Sequence, residues 1–238
     1  WPNKPIADHT DYSMMLHVED LAALIEVLKV APVHLVGHSY GAFLCMLLAM
    51  KEPHLVKSLV LAEPPAITLF VSSQPKPAEL IRLMFTRPGT ALSIIKFGAT
   101  GVEPAKKAFR RGDLEAGARI FGDAVFGREA IDHFPGIRRD QVKDNLSNIR
   151  AEWLGSGLLP VDDEALRKLN VPVLLVEGEC TIPMFRHLVD RLEELLPHTE
   201  RVKIPNASHS SQEDNPQAYN TAVLEFLQRQ GRPAASTT

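Results

Sequence analysis

Residues 33–43 read VHLVGHSYGAF, and the fold turns on how they are read. Val33 to Val36 is a short apolar run suited to a buried strand. Tyr40 to Met50 is apolar on nearly every side, as a helix buried against a sheet would be. A strand-to-helix turn this tight forces its central residue, Ser39, into a strained backbone conformation. Gly37 and Gly41 are expected because side chains there would collide as helix and strand pass. The hydroxyl would then stand above the sheet edge, at the amino end of a helix whose dipole favours developing negative charge. The Tyr40 amide would face the same spot and could donate to an oxyanion. Ser39 is therefore a candidate nucleophile, with a turn serine devoid of chemistry as the alternative.

Outward from this stretch the chain alternates. Residues 13–29 carry Val18, Leu21, Ala22, Ile25 and Leu28 at helical spacing, and Ala31-Pro32 ends that helix. Trp1 to Thr10 is polar with two prolines and reads as a loop. SLVLA at 58–62 is a second buried strand, closed by Pro64-Pro65. From 67 to about 165 no strand pattern occurs; PAELIRLMF, DLEAGARIFGDAVF and RDQVKDNLSNIRAEWL are short helical stretches between Gly and Pro. The alternation resumes with VPVLLVEG from Val171, then a helical stripe of Phe185, Leu188, Val189, Leu192, Leu195 and Leu196. RVKIP at 201–205 is a fourth strand. Asn215-Pro216 opens a last helix with Pro at its first position, and Tyr219, Val223 and Phe226 form its apolar face. The fold class is thus α/β: a mostly parallel sheet with helices on both faces, plus an all-helical insertion. Ligands of such sheets bind at the carboxyl ends of the strands, here after 36, 62, 176 and 204.

With its strand before and buried helix after, VHLVGHSYGAF resembles the nucleophile elbow of the α/β-hydrolase superfamily. The elbow comprises Gly37, His38, Ser39 and Gly41, and the similarity extends from about residue 11 to 230. It implies a core of 11–66 and 167–230, a helical cap of 67–166 and a disordered tail of 231–238. Ser at 39 argues against haloalkane dehalogenases and epoxide hydrolases, whose relatives carry Asp there.

His209, in NASHSS between the last strand and the last helix, falls at a carboxyl edge, where the resemblance places the base. His38 abuts the serine, but neighbours in a tight turn point apart, so packing or support is its expected role. His34 lies within a strand. His17, His54, His187 and His198 read as solvated helical positions, and His133 could line a pocket. For the acid, the commonest family pattern uses a position about three residues past the glycine of VPVLLVEG. That position is Thr181, which cannot act as a carboxylate. Two named candidates remain, beside the alternatives of another residue or no acid. Glu63 directly follows SLVLA, a place where some branches of the superfamily carry their acid, and Pro64 should hold its backbone extended. Glu179 is the other.

The chain has 238 residues and a formal net charge of -3, which gives no reason to propose nucleic acid as a partner. No apolar run is long enough to span a membrane. Cys45 and Cys180 lie far apart in sequence and have no metal-ligand spacing. They imply a reducing, cytoplasmic setting, with Cys45 in the core and Cys180 in core or loop. Only 32 residues precede the elbow strand, whereas the resemblance implies about four further strands and a His-Gly loop donating the second oxyanion N–H. The expectation is the carboxyl-terminal part of a longer hydrolase, weakly active and poorly soluble by itself.

The leading functional expectation is a serine hydrolase acting on a small acyl substrate through Ser39, His209 and Glu63, with no metal or organic cofactor. C–C bond hydrolysis or acyl transfer by the same residues stays open, as does a non-catalytic binding protein. Phe70, Met84, Phe85, Phe121, Phe126 and Trp153 are the insertion's candidates for a pocket or for its own core.

Overall fold

The computed structural model describes residues 13–128, 132, 134–155 and 157–231. Trp1 to Thr10, His133 and the tail beyond Gly231 lie outside the described residues; Gly231 itself ends the last helix. The chain forms two compact units. One holds His17–Leu69, Val161–Thr181 and the chain from Phe185 on; the other is built on Phe70–Pro160 and includes residues 13–16 and Ile182–Met184.

The first unit contains the sheet. Its strands are β1 (Val33–His38), β2 (Val56–Ala62), β3 (Val173–Gly178) and β4 (Thr199–Ile204), all parallel and in that spatial order. The inner strands are the apolar runs: every residue of β3 is buried, and all of β2 except Lys57. This is the pattern of parallel strands covered on both faces. The edge strands are only partly buried, and Val36 of β1 remains 47% exposed. Helix α1 (Met14–Leu28) precedes β1, and α2 (Tyr40–Lys51) follows Ser39 and packs on β1 and β2. The final helix, α12 (Pro216–Gly231), lays Tyr219, Val223 and Phe226 onto Val60, Ala62, Leu174, Val176 and Ile204. The register pairs His38 with Ala62, Ala62 with Val176, and Gly178 with Ile204. The carboxyl ends of all four strands therefore lie along one edge, β3 and β4 running two residues past β1 and β2.

Within the helical unit run α3 (Pro77–Thr86), α4 (Pro88–Phe97), α5 (Glu103–Arg110), α6 (Leu114–Phe126), α7 (Gly136–Asp144) and α8 (Leu146–Leu154). RDQVKDNLSNIRAEWL divides between α7 and α8 at Asn145, whose side-chain amide donates to the Gln141 carbonyl at 2.7 Å and competes with the helical ladder. Trp153 meets Phe121 edge-on at 4.6 Å and lies 6.0 Å from Phe109. Phe126 packs against Phe134 at 5.5 Å, and Arg87 lies over Phe70 at 5.7 Å. Phe85 belongs to no such core, being 86% exposed. Outside Phe70–Pro160, α9 (Asp163–Arg167), α10 (Pro183–Leu195, whose first two residues fall in the helical unit) and α11 (Ser211–Asp214) follow. No helix among the described residues is long and apolar enough to cross a membrane.

Candidate active site

Ser39 has φ 51° and ψ −120°, and its amide donates to the Ala62 carbonyl at 2.8 Å. That hydrogen bond extends the β1–β2 ladder one residue past the strand, so the turn begins with its first residue clamped to β2. The serine hydroxyl does not cap α2, although its carbonyl accepts from Phe43 N–H at 3.0 Å. A conformation this rare for a non-glycine residue costs on the order of 1–3 kcal/mol and is maintained by the surrounding structure. Gly37 matches the steric expectation: a Cβ there would lie 2.6 Å from the N and Cα of Ala42. Gly41 does not. A Cβ at Gly41 meets nothing within 4 Å among the described residues.

Glu63 leaves the end of β2 with φ 45°, its amide bonded to the Val176 carbonyl at 3.2 Å. The extended backbone expected before Pro64 is therefore not adopted. The left-handed turn sends the side chain across the sheet edge towards the end of β3. There its carboxylate, 1% exposed, accepts three hydrogen bonds. The Gly178 amide donates to Oε1 at 2.8 Å; the Thr181 hydroxyl donates to Oε2 at 2.8 Å; His209 Nδ1 stands 2.6 Å from Oε2. Burial of a carboxylate is tolerable only with such compensation.

The last contact dictates the histidine tautomer. A carboxylate can only accept, so Nδ1 carries the proton, and Nε2 of the neutral ring bears the lone pair. His209 is 2% exposed, with Phe185 stacked on its ring at 4.0 Å and 17°. The His38 ring lies 4.7 Å from that of His209, and its Nε2 donates to the His209 carbonyl at 2.8 Å. His38 thus grips the loop that carries His209, from the residue immediately before Ser39.

Glu179, the alternative acid, turns the other way and accepts from the Asn206 amide at 2.9 Å. That bond, Cys180 N–H donating to the Ala207 carbonyl at 2.8 Å, and the two hydrogen bonds that the Ser208 amide and hydroxyl donate to Asp214 Oδ2 hold the 205–209 loop. The Ser39–Ala62, Glu63–His209 and His38–His209 bonds thus tie the backbone of Ser39 and the Glu63–His209 pair to strand ends along the carboxyl edge. His34 bonds Ser58 at 2.7 Å at the opposite end of the same strands. His17, expected in solvent, is half-buried with its ring edge-on to Tyr40, the first residue of α2, at 6.1 Å. Cys45 is buried and Cys180 exposed. No group of three or more metal-ligating side chains occurs among the described residues.

Sequence reasoning did not single out Thr181 as a donor, Gly178 as a donor, or Phe185 beyond its helical stripe. The signal available was the polar Thr181 following three strand-end residues, which only the sheet register connects to Glu63.

A family model described as the Alpha/beta hydrolase family matches residues 3–222. The chain is 29% identical over 215 residues to the putative non-heme bromoperoxidase BpoC of Mycobacterium tuberculosis, covering 88% of this chain and 73% of that protein. It is 28% identical over 219 residues to the 2-(acetamidomethylene)succinate hydrolase of Mesorhizobium japonicum, with 92% and 72% covered. Among solved structures, MenH from S. aureus superposes with a TM-score of 0.68 over 96% of this chain and 80% of that one, at 14% identity, a likeness of fold.

Proposed function

The chain belongs to the alpha/beta hydrolase family, and from that premise we propose that it is a serine hydrolase cleaving an ester or related acyl substrate through an acyl-enzyme. The observation that carries the reading is the buried His209–Glu63 pair at 2.6 Å, whose His209 backbone is bonded by His38, the residue before the strained Ser39. A pair of this kind orients an imidazole and stabilises the imidazolium that forms when it takes a proton.

In this reading Ser39 Oγ attacks the acyl carbon while His209 Nε2 takes its proton. The Tyr40 amide donates to the oxyanion at the amino end of α2. His209 then returns the proton to the leaving group, and the Ser39 ester remains. Water attacks that ester with His209 again as base, releasing the acid and regenerating the serine. Glu63 keeps the His209 ring oriented throughout, and no cofactor takes part. Residues 67–166 form the cap of this enzyme, and 11–66 with 167–230 its core.

The test is fluorophosphonate labelling of the folded chain, read by intact mass beside Ser39→Ala and His209→Gln. One adduct on the parent chain and none on either variant supports the reading. A folded chain that takes no label sinks it and leaves a non-catalytic member of the family.

A further inference from the structure

The turn after β3 contacts both members of the buried pair. It closes with Thr181 N–H donating to the Gly178 carbonyl at 3.1 Å, which brings the Gly178 amide and the Thr181 hydroxyl to one side. Each donates to a different oxygen of Glu63. On its other side the turn presses against the backbone carrying His209. A Cβ at Gly178 would fall 2.1 Å from the Ser208 carbonyl oxygen and 2.6 Å from that of Ala207, and Cys180 N–H bonds the latter. The turn thus sets the distance between acid and base from both ends.

Within it, the hydroxyl of Thr181 has a distinct task. With Gly178 and His209 alone, the Glu63 carboxylate could rock about its terminal torsion, which has no staggered preference. A second donor on Oε2 removes that freedom, because both lone pairs of the oxygen are then directed. Thr181 is 5% exposed, so its hydroxyl meets little competition from water. Its β-branch restricts the side chain to few rotamers.

We infer that Thr181 is a positioning residue: its hydroxyl fixes the plane of the Glu63 carboxylate and through it the angle at which His209 presents Nε2. The inference rests on the hydrolase reading above. Thr181 touches neither nucleophile nor substrate in this role; it acts through Glu63.

Thr181→Val removes the hydroxyl while keeping the shape. A hydrogen bond to a buried charged group is worth about tenfold to a hundredfold in an equilibrium or rate. The expected result is a kcat lower by about that factor on a p-nitrophenyl ester, with KM within about twofold. Thr181→Ser should recover most of the loss, and Thr181→Cys, with its weaker donor, should fall between. The second readout is the His209 Nδ1 proton in ¹⁵N-histidine-labelled protein, assigned by its loss in His209→Gln. It should be displaced in Thr181→Val and restored in Thr181→Ser. A Thr181→Val chain with kcat within twofold of the parent and an unmoved Nδ1 proton would overturn the inference. If the parent takes no label at Ser39, the hydrolase reading fails, and the Nδ1 proton alone then decides whether Thr181 orients the pair. Should the valine variant not fold, the cysteine variant is read in its place.

Discussion

A side chain at Gly37 would meet the Ala42 backbone at 2.6 Å, whereas a Cβ at Gly41 meets nothing within 4 Å among the described residues. Neither partner at Gly37 can move without displacing β1 or α2, so Gly37→Ala should destabilise by about 1–3 kcal/mol, as overpacking does. Gly41→Ala should be neutral, or more stable by about 0.5–1 kcal/mol, since it replaces glycine inside a helix. Urea unfolding of the two variants in parallel tests this, and equal losses would contradict it. Similar discrimination applies to the two carboxylates. Glu63→Gln should lower kcat by about 10³- to 10⁴-fold, as expected when a histidine's orienting carboxylate becomes an amide. Glu179→Gln, which loses only a loop anchor at Asn206, should keep kcat within a few-fold. Steady-state rates on one ester decide between them; comparable losses would return the acid to an open question.

At the scale of elements, α2 buries Cys45 on its core face, and burial pushes that thiol up to about 11. Near pH 8 it is therefore neutral and enclosed, while Cys180 in the turn after β3 is open to solvent. A thiol reagent should titrate one cysteine per folded chain and two after denaturation. Two fast-reacting thiols in the folded chain would mean that α2 does not pack as described. Strand β4 shows how the worth of an ion pair depends on burial. Arg201 Nε lies 3.0 Å from the wholly buried Glu177 carboxylate and its Nη1 2.8 Å from Asp190 of α10. Arg186 and Lys203 flank the same carboxylate at 3.3 and 3.6 Å. Stripping Arg201 leaves a buried anion under-compensated, and Arg201→Leu should cost about 3 kcal/mol. The Glu200–Arg229 pair at 2.6 Å is about half exposed on both sides, so Arg229→Leu should cost less than about 1 kcal/mol.

For the molecule as a whole, pH acts on stability through Glu152, whose carboxyl is pushed up to about 7 by burial in the helical unit. The unfolded chain ionises this group near its ordinary 4.5, before the folded chain does. Its contribution to stability is therefore intact below about 4.5 and declines as pH rises to about 7, beyond which the penalty is constant. Glu152→Gln should raise the melting temperature at pH 8, by the equivalent of on the order of 2 kcal/mol, and leave it nearly unchanged at pH 4. The same gain at both pH values would assign the effect to packing instead of charge.

What the sequence determined by itself was the order and kind of the elements. The continuous apolar runs of β2 and β3, the stripe of Phe185 to Leu196 and the proline at 216 are local signals, each spread over a few neighbouring residues. From them followed the parallel sheet, the helical insertion and a serine in a strained strand-to-helix turn. Glu63 and His209 could be named as strand-end residues, but not joined: they lie 146 positions apart, and Glu179 satisfied the same pattern. Only the tertiary structure decided that Glu63 takes a left-handed backbone, that Glu179 anchors a loop, and that Thr181 and Gly178 donate to one carboxylate. It also decided that His38 reaches back to His209 and that Gly41 is sterically free. Such contacts depend on strand register and on where each chain segment exits the sheet. One-dimensional periodicity carries which face a residue occupies, but not which distant residue meets it there.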